Sequence, residues 1–137
     1  MNKHLTDFLS FLDRANCRFT ASKQITDRLT AADFVEISEA DSFKLKKGGK
    51  YFIRRMDTAV VAFVVGSKSP TESGFKLAAS HIDSPSLKLK TKSFKCSSGV
   101  CRMGVEVYGG PIVHTWVDRE LSVSGRVIVK TAKGYES

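Results

Sequence analysis

The stretch Phe75-Lys76-Leu77-Ala78-Ala79-Ser80-His81-Ile82-Asp83-Ser84-Pro85 decides how this chain is read. Phe75 to Ser80 reads as a strand apolar enough to be central in a sheet, and it delivers His81 at its carboxyl end. Open α/β sheets place their sites at that end. In an extended backbone, residues two apart point to one face, about 6–7 Å from each other. The Asp83 carboxylate can therefore reach the Nδ1–H of His81 and leave Nε2 to a metal, an arrangement that orients an imidazole and raises its basicity. Pro85 then ends the strand. His-x-Asp alone is a short pattern, and a satisfied histidine at a strand end carries the same letters.

Working outward, Ser80-His81-Ile82-Asp83-Ser84-Pro85-Ser86-Leu87-Lys88-Leu89-Lys90 resembles the first metal-binding motif of the M18 aminopeptidases, the aspartyl aminopeptidase family. Upstream, Phe43-Lys44-Leu45-Lys46-Lys47-Gly48-Gly49-Lys50-Tyr51-Phe52 and the run from Val60 to Gly66 are similar to that family as well. So are Gly104-Val105-Glu106-Val107-Tyr108-Gly109-Gly110, Thr115-Trp116-Val117-Asp118-Arg119-Glu120-Leu121 and Gly125-Arg126-Val127-Ile128-Val129-Lys130 downstream. Departures are Ile82 where threonine is frequent, Pro111 where a glycine is common, and His114 where a small or polar residue is usual. None removes the ligand.

The resemblance implies an α/β fold: the first part of a zinc-exopeptidase α/β domain, followed by the start of an inserted β-rich oligomerisation domain. Residues 1–85 would be the amino-terminal part of the catalytic domain and residues 86–137 the beginning of the insertion. It also implies a peptide substrate, with a possible acidic amino-terminal residue, two zinc ions per complete site and a homo-oligomer. His81 is the expected metal ligand and Asp83 the catalytic residue that orients it. The other ligands and the base lie, in the family, beyond the insertion. A zinc site needs three or more protein ligands, so these residues are expected to be a fragment, inactive alone.

Composition bounds the alternatives. A chain of 137 residues with 42% hydrophobic content suits one domain burying about two-thirds of its unfolded surface. No apolar run is long enough to span a bilayer, and acidic and polar residues interrupt the amino terminus at once, unlike a secretory core. The three cysteines Cys17, Cys96 and Cys101 form no Cys-x-x-Cys pair. Partly buried free thiols in a reducing, cytoplasmic setting fit that usage.

The net charge of +8 is spread evenly, with 12 basic and 8 acidic side chains in residues 1–70 and 10 and 6 in residues 71–137. Its densest stretch is Lys88, Lys90, Lys92, Lys95 and Arg102, with no acid between them. Lysines alternate there with Leu87, Leu89 and Thr91, as on a half-buried antiparallel strand with a wet outer face. Phe94 is the one aromatic interleaved with them, so a basic RNA-binding module is the weaker alternative and no nucleic-acid or membrane partner is expected. The stronger alternative is a non-catalytic interaction or assembly fragment whose β-rich half exposes pairing edges.

Local patterns place the elements. Leu5, Phe8, Leu9, Phe11 and Leu12 recur at helical spacing, with Thr6 or Asp7 available as a cap. A second helix is expected after Thr20, burying Ala21, Ile25 and Leu29, followed by a short apolar edge at Phe34, Val35 and Ile37. Tyr51 to Met56 and Ala59 to Val65 read as a hairpin, and Ser67 to Gly74 as a polar loop. Leu87–Thr91, Val100–Tyr108, Leu121–Val123 and Arg126–Lys130 are strand candidates. His4 reads as exposed and His114 as a satisfied or interface histidine. Asp118 and Glu120 would share one strand face in a structural role. Gly109-Gly110 lacks the residues of a phosphate loop, and Ser80, His81 and Asp83 lack a nucleophile elbow.

Overall fold

In a computed structural model that describes residues 2–137, the chain forms two units. One comprises the residues up to Ile82 together with Ser124–Ser137, the other Asp83–Val123.

The first unit opens with α1 (Lys3–Arg14), which starts earlier than its apolar spacing suggests because the Asn2 side chain caps it. Asn2 Oδ1 accepts from the His4 N–H at 2.9 Å, satisfying an orphan donor of the first turn. Neither Thr6 nor Asp7 is the cap. Asp7 instead accepts from Arg28 at 2.6 and 2.9 Å, tying α1 to the next helix. Leu5, Phe8, Leu9 and Leu12 form an exposed stripe on α1.

Helix α2 (Arg18–Ala31) begins ahead of Thr20, with Cys17 as its N-cap residue. The Thr20 hydroxyl reaches back to accept from the Cys17 N–H at 3.0 Å, the return half of a capping box. Ala21, Ser22 and Thr26 are its buried residues, while Ile25 and Leu29 are only half-buried. The buried set is small, which lets α2 sit close on the sheet it packs against.

That sheet has the order β1-β2-β3. Strand β1 (Val35–Glu36) runs parallel to β2 (Lys50–Arg55), which pairs antiparallel with β3 (Ala59–Val64). The expected hairpin forms, turning through Met56 and Asp57 at φ 51 and 57. Phe52, 2% exposed at the middle of the central strand, is its core residue. The expected loop after Ser67 contains a single helical turn, α3 (Pro70–Ser73), capped by Ser69 and closed by Gly74 at φ 65.

Phe75 to Ser80 is not a strand: it has no ladder partner among the described residues, and Phe75 and Leu77 are 85% and 90% exposed. An apolar run makes a strand only where a neighbour supplies hydrogen bonds. Leu121–Val123 is likewise unpaired, and only the end of the expected Arg126–Lys130 strand forms, as β6 (Val129–Thr131) against β7 (Gly134–Glu136). Arg126 anchors this returning segment, donating to Asp57 at 3.0 Å with its guanidinium 4.7 Å over the Phe19 ring.

The second unit is built on β4 (Ser86–Ser97) and β5 (Val100–Tyr108), a long antiparallel hairpin. Ser98 and Gly99 turn it at φ 52 and 76, the left-handed pair that a two-residue hairpin requires. Cross-strand partners share a face, so Leu87/Val107, Leu89/Val105, Phe94/Met103 and Cys96/Cys101 line one side. Lys88/Glu106 and Lys95/Arg102 line the other, as the leucine–lysine alternation predicts. Cys96 and Cys101 are not free thiols. As direct partners with Cα atoms 4.0 Å apart they are joined by a disulfide, and only Cys17 carries a thiol among the described cysteines. Past β5, Val113–Thr115 makes one 3-10 turn, and Asp118 sits in a turn at φ 55 rather than on a strand shared with Glu120.

The chain exposes 11915 Å², against roughly 7,100 Å² for a compact monomer of its mass and roughly 21,900 Å² unfolded. It therefore buries under half of its unfolded surface, short of the two-thirds expected from length. The exposed apolar stripe of α1 and the exposed residues Leu89, Phe94, Met103, Val105 and Val107 on one hairpin side account for part of the difference.

Candidate functional site

The segment from Phe75, without regular secondary structure, leads to His81, which is exposed, and Ile82 and Asp83 behind it are half-buried. The boundary between the two units falls between Ile82 and Asp83, so each candidate is positioned by its own unit.

Asp83 is held by the hairpin that follows it. The Tyr108 phenol, at the last position of β5, donates to Asp83 Oδ2. Tyr108 pairs with Ser86 at the first position of β4, so the hairpin's closing end brings this tyrosine over the segment that carries Asp83. Gly109 completes the strap at φ 75, where a Cβ would lie 3.3 Å from Pro85 Cα. Only glycine suits both the left-handed backbone and that approach. The Pro85 side chain and the Tyr108 hydroxyl thus fix the exit of the chain and the plane of the Asp83 carboxylate together. Chemically, a carboxylate oriented by a phenol suits an acceptor that holds another group in one pose, the role expected of Asp83.

Tyr108 and Gly109 were not recognised as site residues from the sequence. The signal was present only as the block Gly104 to Gly110, whose pairing to Pro85 depends on the register of a hairpin spanning both.

A zinc ion asks for three or four nitrogen, sulfur or oxygen ligands around one point. Among the described residues no group of three His, Cys, Asp or Glu side chains is placed to hold a metal. The residues present therefore do not make a zinc site by themselves: His81 is one donor, and His4 and His114 are exposed residues on α1 and the 3-10 turn.

Cys17 is a separate feature of the first unit. Burial pushes its thiol up, but hydrogen bonds from the Ser124 side chain, from Thr20 and from the Phe19 backbone outweigh this and bring it from 9.0 down to about 7. No helix among the described residues is long and apolar enough to cross a membrane.

Comparison with known proteins gives a consistent result. The family described as Aminopeptidase I zinc metalloprotease (M18) matches residues 11–137. A probable aspartyl aminopeptidase of Ricinus communis is 41% identical over 128 residues, covering 93% of this chain and 26% of that protein. The aspartyl aminopeptidase of Dictyostelium discoideum is 39% identical over 132 residues, covering 96% of this chain and 27% of that protein. A probable M18 family aminopeptidase 2 of Pseudomonas aeruginosa is 37% identical over all 137 residues, which cover 31% of it. Among solved structures, the cryo-EM complex of Ape4 and Nbr1 superposes with TM-score 0.88 at 38% identity, over 94% of this chain and 25% of that one. The S. cerevisiae mApe1 dodecamer superposes with TM-score 0.86 at 28% identity, over 98% of this chain and 32% of that one. The chain thus spans between a quarter and a third of the length of these relatives.

Proposed function

Because the chain belongs to the M18 aminopeptidase family, we propose that it is the amino-terminal part of a metal-dependent aminopeptidase. The continuous family match across residues 11–137 carries this reading. In the complete enzyme, residues 1–85 contribute to the catalytic α/β domain and residues 86–137 open the inserted β-rich domain. His81 is a metal ligand and Asp83 orients it, with Tyr108 holding Asp83. The family's description as a zinc metalloprotease supports zinc, and the number proposed is two ions per complete site. Zinc held in the complete enzyme would supply Lewis acidity toward the scissile carbonyl; of the described residues, His81 would contribute one imidazole to it and Asp83 that imidazole's support.

The substrate proposed is a peptide with an acidic amino-terminal residue, supported by relatives named aspartyl aminopeptidase. A homo-oligomer is proposed on the mApe1 dodecamer and on the apolar side of the β4–β5 hairpin, which a two-stranded ribbon cannot cover itself. The same uncovered surface favours the assembly-fragment reading for the chain on its own. A cytoplasmic placement is proposed, although the Cys96–Cys101 disulfide removes two of the three free thiols that argued for a reducing setting; no nucleic acid or membrane is required.

Alone, the 137 residues lack a ligand set among those described and are inactive. Purified chain supplied with zinc and peptides beginning with Asp or Glu tests this. The expected result is no hydrolysis above the zinc blank; turnover abolished by a chelator overturns the proposed incompleteness.

A further inference from the structure

The polar side of the β4–β5 hairpin carries a feature that the peptidase reading does not use. Leu89 pairs with Val105 and Phe94 with Met103. Lys90, Thr91, Lys92 and Ser93 on β4 therefore stand against the single residue Gly104 on β5. This bulge bends β4, with Lys92 at φ 54, and Gly104 offers no side chain beneath it. A Cβ on Gly104 would lie 3.2 Å from the Ser93 Cβ. The result is a groove of about 570 Å³ whose lining includes Lys90, Lys92, Lys95 and Arg102 together with Ser93 and Ser97.

No carboxylate lines it. The acid on this side, Glu106, lies 3.9 Å from Lys88, and among the described ion pairs none involves Lys90, Lys92, Lys95 or Arg102. Lys95 and Arg102 face each other as direct cross-strand partners, a like-charge pairing that weakens a hairpin. Four cations gathered over one glycine, two of them opposed, are placed for an anionic partner.

We propose that this groove binds an extended acidic polypeptide segment. Alternate side chains of an extended chain recur every 6–7 Å or so on one face, so successive carboxylates of one such chain can face several of the four cations gathered at the bulge. A single-stranded nucleic acid is the poorer fit, because binding it rests on aromatic stacking as well as charge. The nearby aromatic, Phe94, lies with Met103 on the opposite side of the hairpin.

The test uses the full chain and a fluorescein-labelled peptide of alternating Glu and Ser, read by anisotropy. Comparisons are the Gln/Ser analogue, oligothymidylate of equal charge, and sulfate as competitor. The acidic peptide is expected to bind, to weaken at least tenfold between low and physiological salt, and to bind tighter than oligothymidylate. Arg102→Glu is expected to weaken it at least tenfold while leaving the melting temperature unchanged or higher, since the new carboxylate faces Lys95. Lys90→Gln/Lys92→Gln gives a second loss without touching that pair. Unchanged affinity in both variants, tighter oligothymidylate binding, or displacement by millimolar sulfate overturns the proposal.

Discussion

Truncating Phe52 tests whether the first unit is held by the small interface between α2 and its sheet. Phe52 is 2% exposed on the central strand, flanked by β1 and β3, and Ala21, Ser22 and Thr26 are the buried residues of the helix that packs there. Phe52→Ala removes an aromatic ring that surrounding strands cannot follow inward, a change that costs about 3–5 kcal/mol. That is roughly two to four orders of magnitude in the unfolding equilibrium. With a urea slope of about 1–3 kcal/mol/M, the midpoint falls by at least about 1 M. Phe75→Ala is the matched control, because the same substitution is made at a position 85% exposed; its effect should stay within about 0.5 kcal/mol. Urea titration followed at 222 nm reads α1 and α2, both in this unit. Equal midpoint shifts for the two variants would refute the assignment of Phe52 as the core residue.

Two further outcomes follow from the same unit. The Ser22 hydroxyl is buried with no hydrogen-bond partner among the described residues, so Ser22→Ala removes an unsatisfied group and improves helix propensity. It should raise stability by about 1 kcal/mol or more, and a lower melting temperature contradicts this. The Cys17 thiol, brought down to about 7, should be alkylated by iodoacetamide with a midpoint near neutral pH in the folded chain. Its pKa is depressed on folding, so the associated stability is full above the unfolded thiol value and fades as pH falls through about 7. Ser124→Ala should move the alkylation midpoint upward; a midpoint near 9 in the unaltered chain contradicts the hydrogen-bond account.

Elements whose partners are adjacent in sequence were legible from residue patterns. The β2–β3 hairpin, strand β5 and the leucine–lysine division of β4 follow from alternation and turn residues close at hand. The full length of β4 was missed because Ser98-Gly99, a two-residue turn signal, was not read as one. Recognising it would have placed Cys96 opposite Cys101 and anticipated their disulfide. Phe75 to Ser80 failed for a different reason: its apolar character is real, but strand formation depends on a neighbour that local sequence does not name. The helix start at Asn2 turned on one side-chain hydrogen bond outside the apolar stripe. For the site, His81 and Asp83 were picked out by spacing and family resemblance. Tyr108, 25 residues beyond Asp83, needed the register of a bulged hairpin to be found.

The most direct test of the proposed assignment is the metal content of the longest in-frame polypeptide containing residues 1–137, measured with and without His81→Ala. Metal analysis and hydrolysis of an Asp-initiated peptide are read together, with circular dichroism as the control for folding. The account predicts that the unaltered protein holds zinc and cleaves the peptide, and that His81→Ala keeps its fold but loses zinc and falls at least a thousandfold or so in activity. A folded His81→Ala protein that retains both full zinc and full activity contradicts it.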